Sequence, residues 1–320
     1  MTLTQSAFPF SDLPMNPGAD LTGYVEPDRS PPEDGRVSVT VFGTVRNERD
    51  SFLRSWEIWS KQEVPEWLDV TYLVVDDGSD EAFYDEVASV IGCRPGPPQG
   101  RAPVLRSRRG WSFLLWPLRT PETPARSCTI AFNYALRNLV STPYVMFQWW
   151  DRIPGSFSHL RRLAEPHRTE GGIMTSNVAR HIGGSSSMVD MTPDELAARM
   201  AMVPWSEKPQ TLSRISGQIG SHCRPGNASE SAGLFLRTDE LLAVGGWDER
   251  YTTQHSYVNV DLFRRLFATG LRCEFVPEPH GACYHQSHGS YRERSTKPMD
   301  LMADPVVVRN DGPDGEWGRG

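Results

Sequence analysis

Apolar and polar positions along the chain alternate between two rhythms. Residues 37–42 (VSVTVF) form a β-branched run long enough for one buried strand, and residues 70–75 (VTYLVV) form a second. Between them Phe52, Leu53, Trp56 and Trp59 recur at helical spacing. The second run stops at the acidic turn Asp76-Asp77-Gly78-Ser79-Asp80, and residues 83–91 (FYDEVASVI) resume a helical pattern. Strand, helix, strand, helix within about 55 residues predicts a parallel sheet with crossover helices. In such sheets ligands sit beyond the carboxyl ends of the strands, which is where the acidic turn falls.

The pattern continues with a strand over 111–118 (WSFLLWPL) and an amphipathic helix over 127–142, stopped at Pro143. A strand over 144–150 (YVMFQWW) ends at Asp151. Residues 172–230 are rich in Gly, Ser and Met around a short helix at 193–202, the composition of a lid or acceptor-binding insertion. Order returns with 232–246, a WDERY turn, a helix over 260–270, a strand over 273–277, and three histidines. Residues 1–35, rich in Pro, Asp and Gly, read as a flexible arm, and residues 296–320 as a peripheral tail. The divisions are therefore an arm at 1–35, two halves of one domain at 36–155 and 156–295, and a tail at 296–320.

At 320 residues the chain has the length of about two domains or one large α/β domain. Its 33 basic and 40 acidic residues sum to −7, which disfavours a globally basic nucleic-acid binder. No run approaches the roughly 18 apolar residues of a spanning helix, and the first residues lack the basic-then-apolar order of a secretory signal. Five widely spaced cysteines without a CxxC fit a reduced, cytoplasmic chain. One stretch departs from the average: residues 94–126 hold seven arginines against the single acid Glu122. Its two readings are a solvated irregular insertion or a phosphate-binding surface.

Four acidic points fall at the ends of predicted elements: Asp76/Asp77, Asp151, Asp248/Glu249 and Asp261. A carboxylate at the end of a buried strand is costly unless it meets a metal, a donor or water. A lone one is more often a satisfied turn residue; several on one sheet edge point to a site.

The ordered blocks 37–53 (VSVTVFGTVRNERDSFL), 70–81 (VTYLVVDDGSDE), 143–155 (PYVMFQWWDRIPG), 231–251 (SAGLFLRTDELLAVGGWDERY) and 260–270 (VDLFRRLFATG) together resemble the family 2 glycosyltransferases. The resemblance covers roughly residues 37–290, and the order and gaps of the blocks are more specific than any single one. It implies a GT-A fold: a mixed, mostly parallel sheet flanked by helices, with an acceptor-side insertion or lid. It also implies inverting transfer of a sugar from a nucleoside diphosphate, a UDP-sugar being favoured, to a hydroxyl of a saccharide, protein or small molecule. By the same resemblance Thr44, Arg46, Asn47, Asp76 and Asp77 would bind the nucleoside, with Arg126 and Asn133 also at the donor. Asp151 stands where the family has the last Asp of its DxD motif, which holds Mn²⁺ or Mg²⁺ on the diphosphate. His285 and His288 stand where a late histidine returns to that metal. Trp247 and His255 would face the acceptor.

Two departures matter. The DxD reads Trp149-Trp150-Asp151, so its first carboxylate is missing. The family's EDxDL pattern reads Val258-Asn259-Val260-Asp261-Leu262, so its acidic pair is gone. A base is still required when a hydroxyl attacks as the donor bond breaks. Asp261 is the first candidate, followed by Asp248, Glu249 and His255, while an ion pair with Arg264 or Arg265 at helical spacing is the structural alternative for Asp261. These departures also admit a non-catalytic nucleotide-sugar or glycan-binding relative. The arginine stretch, with Trp111 and Trp116 beside it, further admits a DNA-modifying glycosyltransferase acting on a hydroxylated base.

Overall fold

A computed structural model describes residues 20–79, 81–90, 104–108, 111–118, 128–181, 233–250, 258–276 and 280–285. In chain order these form β1 (Val37–Val45), α1 (Arg49–Trp59), β2 (Leu68–Asp77), α2 (Glu81–Val90), β3 (Val104–Arg108), β4 (Trp111–Leu118), α3 (Thr129–Asn138), β5 (Tyr144–Phe147), β6 (Arg152–Pro154) and α4 (His159–Ala164). There follow β7 (Ile173–Ser176), β8 (Val178–His181), β9 (Leu234–Arg237), α5 (Thr238–Ala243), α6 (Val258–Ala268), β10 (Arg272–Phe275) and β11 (Ala282–His285).

Eight strands make one sheet in the order β10-β7-β9-β5-β1-β2-β4-β3. The pairs β1–β2, β1–β5, β2–β4 and β7–β10 are parallel, whereas β9 and β3 run against their neighbours. The mixed, mostly parallel α/β sheet expected from the hydrophobic pattern is therefore present. A second sheet of three short strands, β6-β11-β8, stands beside it.

The continuous apolar runs of β1 and β5 follow from burial on both faces. Val37, Val39 and Val41 join Tyr144 and Met146 in one core, which Phe52, Trp56 and Trp59 of α1 and Leu160 and Leu163 of α4 cover. Phe42, Val145 and Phe147 join the other, which Phe132 and Ala135 of α3 and Leu262, Phe263 and Leu266 of α6 cover. Each large side chain buried this way contributes roughly 1.5–3 kcal/mol. Strand β5 is shorter than the apolar run, ending at Phe147: Gln148 N still bonds to Phe42 O at 2.9 Å, but the Trp150 indole then turns back to Gly43 O, also at 2.9 Å. The close approach requires the glycine, because a Cβ on Gly43 would lie 2.2 Å from Gln148 O.

Residues 20–35 carry no regular element and lie against the domain. Arg29 Nε donates to the buried Glu240 carboxylate of α5 at 2.5 Å, and Arg29 also reaches Thr269 O at 3.0 Å. Arg237 and Arg168 bond back to the carbonyls of Ser30 and Gly35. No helix among the described residues is long and apolar enough to cross a membrane.

Two histidines are fully enclosed. His159 donates from Nδ1 to His280 O at 2.5 Å, and burial holds its pKa down at about 4. His167, between Tyr144 and Phe235, is held at about 3 by burial and by Arg237. Both stay neutral in the folded chain, while the unfolded chain takes up protons below about pH 6.5. Their stabilising contribution is complete above that value and is lost as pH falls towards 4 and 3. The expected loss is about 1.4 kcal/mol per pH unit for each histidine. Melting temperatures between about pH 7 and pH 5 measure this, and His167→Gln should give a shallower acid slope. Gly43→Ala should cost about 1–3 kcal/mol in denaturant unfolding, since its methyl group meets backbone and not a yielding side chain.

Candidate active site

β1, β2 and β5 are parallel, so their carboxyl ends share one edge of the sheet. The register aligns Val45 with Asp76 and Phe42 with Phe147. β2 and β5 flank β1, and β2 runs on past the level of Phe147, which through Phe42 lies abreast of Leu73. Asp76 and Asp77 finish β2, and Asp151 follows β5 by four residues. The antiparallel β9 starts, and β7 ends, at the same rim, with Leu234 opposite both Phe147 and Ser176.

The first two strand ends are stitched together. Ser79 N donates to Asp76 Oδ1 at 3.0 Å, closing the acidic turn, in which Gly78 takes a φ of 78°. Asn47 N donates to Ser79 Oγ at 2.9 Å, with Asn47 itself at a φ of 52°, a left-handed conformation that asparagine tolerates better than most residues. Asp76 and Asp77 are buried, Thr44 is half-buried, and Arg46 and Asn47 are exposed. The five nucleoside candidates thus occupy two adjoining loops that grade from a buried acidic floor to an open lip.

Asp151 is nearly buried, with its Oδ1 3.7 Å from Arg152 Nε. The Arg152 carbonyl accepts hydrogen bonds from Ser55 Oγ at 2.6 Å and Trp59 Nε1 at 3.1 Å, so α1 anchors this segment from beneath. The small sheet then brings in distant residues. β11 pairs antiparallel with β6, setting His285 opposite Arg152, and parallel with β8, setting His285 opposite His181. One row across three strands therefore holds Arg152, His285 and His181, one residue from Asp151. A carboxylate and a nearby imidazole-bearing strand suit a hard or borderline divalent cation. Among the described residues, no group of three metal-ligating side chains forms. Burial pushes the Cys283 thiol up to about 12, which keeps it neutral and a poor metal ligand.

The residues expected at the acceptor and base serve partly other ends. Trp247 is wholly buried, stacked on Phe132 at 4.8 Å and edge-on to Phe42 and Phe147, so it is core and not an acceptor surface. Asn133, expected at the donor, is also buried and brackets the same turn. It donates to Trp247 O and to Glu249 Oε1, both at 2.8 Å, and accepts from Trp247 N at 2.9 Å. Asp248 is buried under a two-pronged contact from Arg250. Asp261 pairs with Arg265 at 2.8 Å, the helical-spacing alternative, and Arg265 spends its other nitrogens on Val244 O and Gly246 O. Burial pushes the Asp261 carboxyl above its ordinary value while Arg265 pulls it back. Asn259 Oδ1 accepts from Trp247 Nε1 at 3.1 Å. Glu249 alone of these three acids is half-exposed.

Arg126, His255 and His288 lie outside the described residues, as do most of the expected insertion and much of the arginine stretch. Trp116 packs against the second core. Sequence reasoning passed over Arg152, which directly follows the DxD position, and His181; their strand pairing is what singles them out.

No family model matches the sequence, and no curated protein does. Solved structures do. GalNAc-T7 with UDP, GalNAc and Mn²⁺ aligns with a TM-score of 0.51 at 12% identity, over 83% of this chain and 46% of that one. The mannosyltransferase PcManGT from Pyrobaculum calidifontis, in complex with GDP-Man and Mn²⁺, gives 0.46 at 15% identity, over 81% and 60%. Glucosyl-3-phosphoglycerate synthase from Mycobacterium tuberculosis, in complex with Mn²⁺, UDP-glucose and phosphoglyceric acid, gives 0.45 at 16% identity, over 80% and 74%. This chain spans 60% of the length of the mannosyltransferase and 46% of that of GalNAc-T7. At such identities the likeness is one of fold, and with the strand order and rim described above it gives the chain the GT-A fold of the glycosyltransferases.

Proposed function

We propose that the chain is a glycosyltransferase that moves a sugar from a nucleoside diphosphate to an acceptor hydroxyl with inversion, assisted by a divalent cation. The observation that supports this reading is that Asp76 and Asp77 finish β2 and Asp151 follows β5, the two strands that flank β1 in parallel, with the ends of β1 and β2 bonded to each other. Thr44, Arg46, Asn47, Asp76 and Asp77 hold the nucleoside of the donor, a UDP-sugar in the favoured version. Asp151, with His285 and His288, holds Mn²⁺ or Mg²⁺ against the diphosphate. The cation, when bound, supplies Lewis-acid stabilisation of the leaving group. Arg126 adds a guanidinium on the same charge.

The base must be a carboxylate that an acceptor can reach. Asp261 and Asp248 are buried and each is engaged by an arginine. Glu249 is half-exposed and accepts from Asn133, so it is the acid we assign to proton removal, and His255 is assigned to the acceptor. Trp247 acts from within the core by fixing the turn that carries Glu249.

Two measurements test this. In a thermal-shift panel of UDP-, GDP- and dTDP-sugars with and without Mn²⁺, one donor should stabilise the protein in a metal-dependent way. Asp151→Ala should weaken that donor about tenfold or more, the loss of one charge-assisted contact. A shift indifferent to both metal and Asp151 would remove the cation from the proposal. Glu249→Gln should lower kcat by about 10²–10⁴-fold with donor binding unchanged. A chain that binds donor but releases no diphosphate with any acceptor would be a binding relative and not an enzyme.

A further inference from the structure

Gln148 is the first residue beyond β5, three before Asp151, at the point of the rim where β1 and β5 end and β9 begins. Its backbone N–H bonds to Phe42 O, and its carbonyl lies close against Gly43. Its side chain is not. Gln148 is 1% exposed, and among the described residues neither Nε2 nor Oε1 has a hydrogen-bond partner. Trp149 Nε1, on the next residue, is likewise without a hydrogen-bond partner among the described residues, whereas two buried polar side chains at the end of β7 are matched. Asn177 Oδ1 accepts from Gly233 N at 2.6 Å, and Ser176 Oγ donates to Gly233 O at 3.2 Å. A primary amide kept from water with both ends unmet is a standing cost, and a leucine of similar size would fill the space without it.

We propose that this amide is kept for the ligand, and that Gln148 contacts the hydroxyls of the sugar being transferred. The inference rests on the donor site of the preceding section and names the part of the donor that Gln148 reads. The chemistry of the group selects the partner. A phosphate can only accept and a cation can only take an oxygen, so either would leave half of the amide unsatisfied. Two neighbouring sugar hydroxyls offer a donor and an acceptor at once. No hydrogen bond holds the side chain in place, so its torsions can carry the amide towards the rim when the sugar enters. A site built to hydrogen-bond a hydroxyl discriminates sharply against a sugar that lacks it, because the amide is then left buried and unmet.

The test uses Gln148→Leu and Gln148→Met, which keep volume and remove the amide. Ligand-free melting is measured first, then binding of UDP and GDP alone, then binding of UDP-glucose, UDP-GlcNAc and GDP-mannose. The expected result has three parts. Both variants melt at or above the wild-type temperature. They bind the nucleoside diphosphate that the wild type prefers within about twofold. They bind its sugar-bearing form at least about tenfold more weakly, the loss of a buried hydrogen-bonded pair. A fall of several degrees in both variants would make the amide a structural element and overturn the inference. Sugar-nucleotide binding equal to wild type would overturn it too. If the wild type itself binds none of these nucleotides, the donor site fails and the inference falls with it, a result read from the unaltered protein and so distinct from the other two.

Discussion

The site depends on one backbone crossing. Where β5 gives way to the Asp151 turn, its chain runs against β1 at Gly43 so closely that no side chain fits between them. That contact sets how far Asp151 stands from the β2 acids, because β1 is the strand both neighbours share. Trp150 locks it from one side by donating to Gly43 O, and α1 locks it from the other by donating to Arg152 O. A carboxylate held this way is preorganised: its position is decided by folding and not by the ligand.

The acids beyond that rim divide according to what already neutralises them. Asp261 and Arg265 form a buried pair whose arginine also satisfies two carbonyls of the Gly245-Gly246 turn. Removing either partner would leave an uncompensated charge in the core, which explains their place in the fold without any catalytic role. Glu249 differs in being half-exposed, and its Oε1 accepts from the amide of Asn133 at 2.8 Å.

The small sheet shows how a site can be assembled from ends of the chain that share no local signal. Residues near 152, 181 and 285 become neighbours only through strand pairing. His159, on the helix after β6, reaches the carbonyl just ahead of β11 and also Asn177 just ahead of β8. A single buried imidazole therefore ties together the entry points of two of the three strands.

What the chain declared on its own was the part governed by short-range periodicity. The runs at 37–42 and 70–75 are dominated by β-branched and apolar residues because both faces of a parallel strand are largely buried, and an acid at the end of such a run is conspicuous for that reason. The helical spacing of Asp261 and Arg265 was equally visible, as were the Trp149 and Asn259 departures. The roles of Asn133 and Trp247 were not, because a buried asparagine that ties a helix to a turn more than a hundred residues away looks the same in sequence as one that meets a ligand. Nor could spacing reveal that His181 stands abreast of His285, or that the Gln148 amide has no partner. Those facts are set by register and packing between segments distant in sequence, and hydrogen-bond satisfaction belongs to the folded neighbourhood of a residue and not to its type.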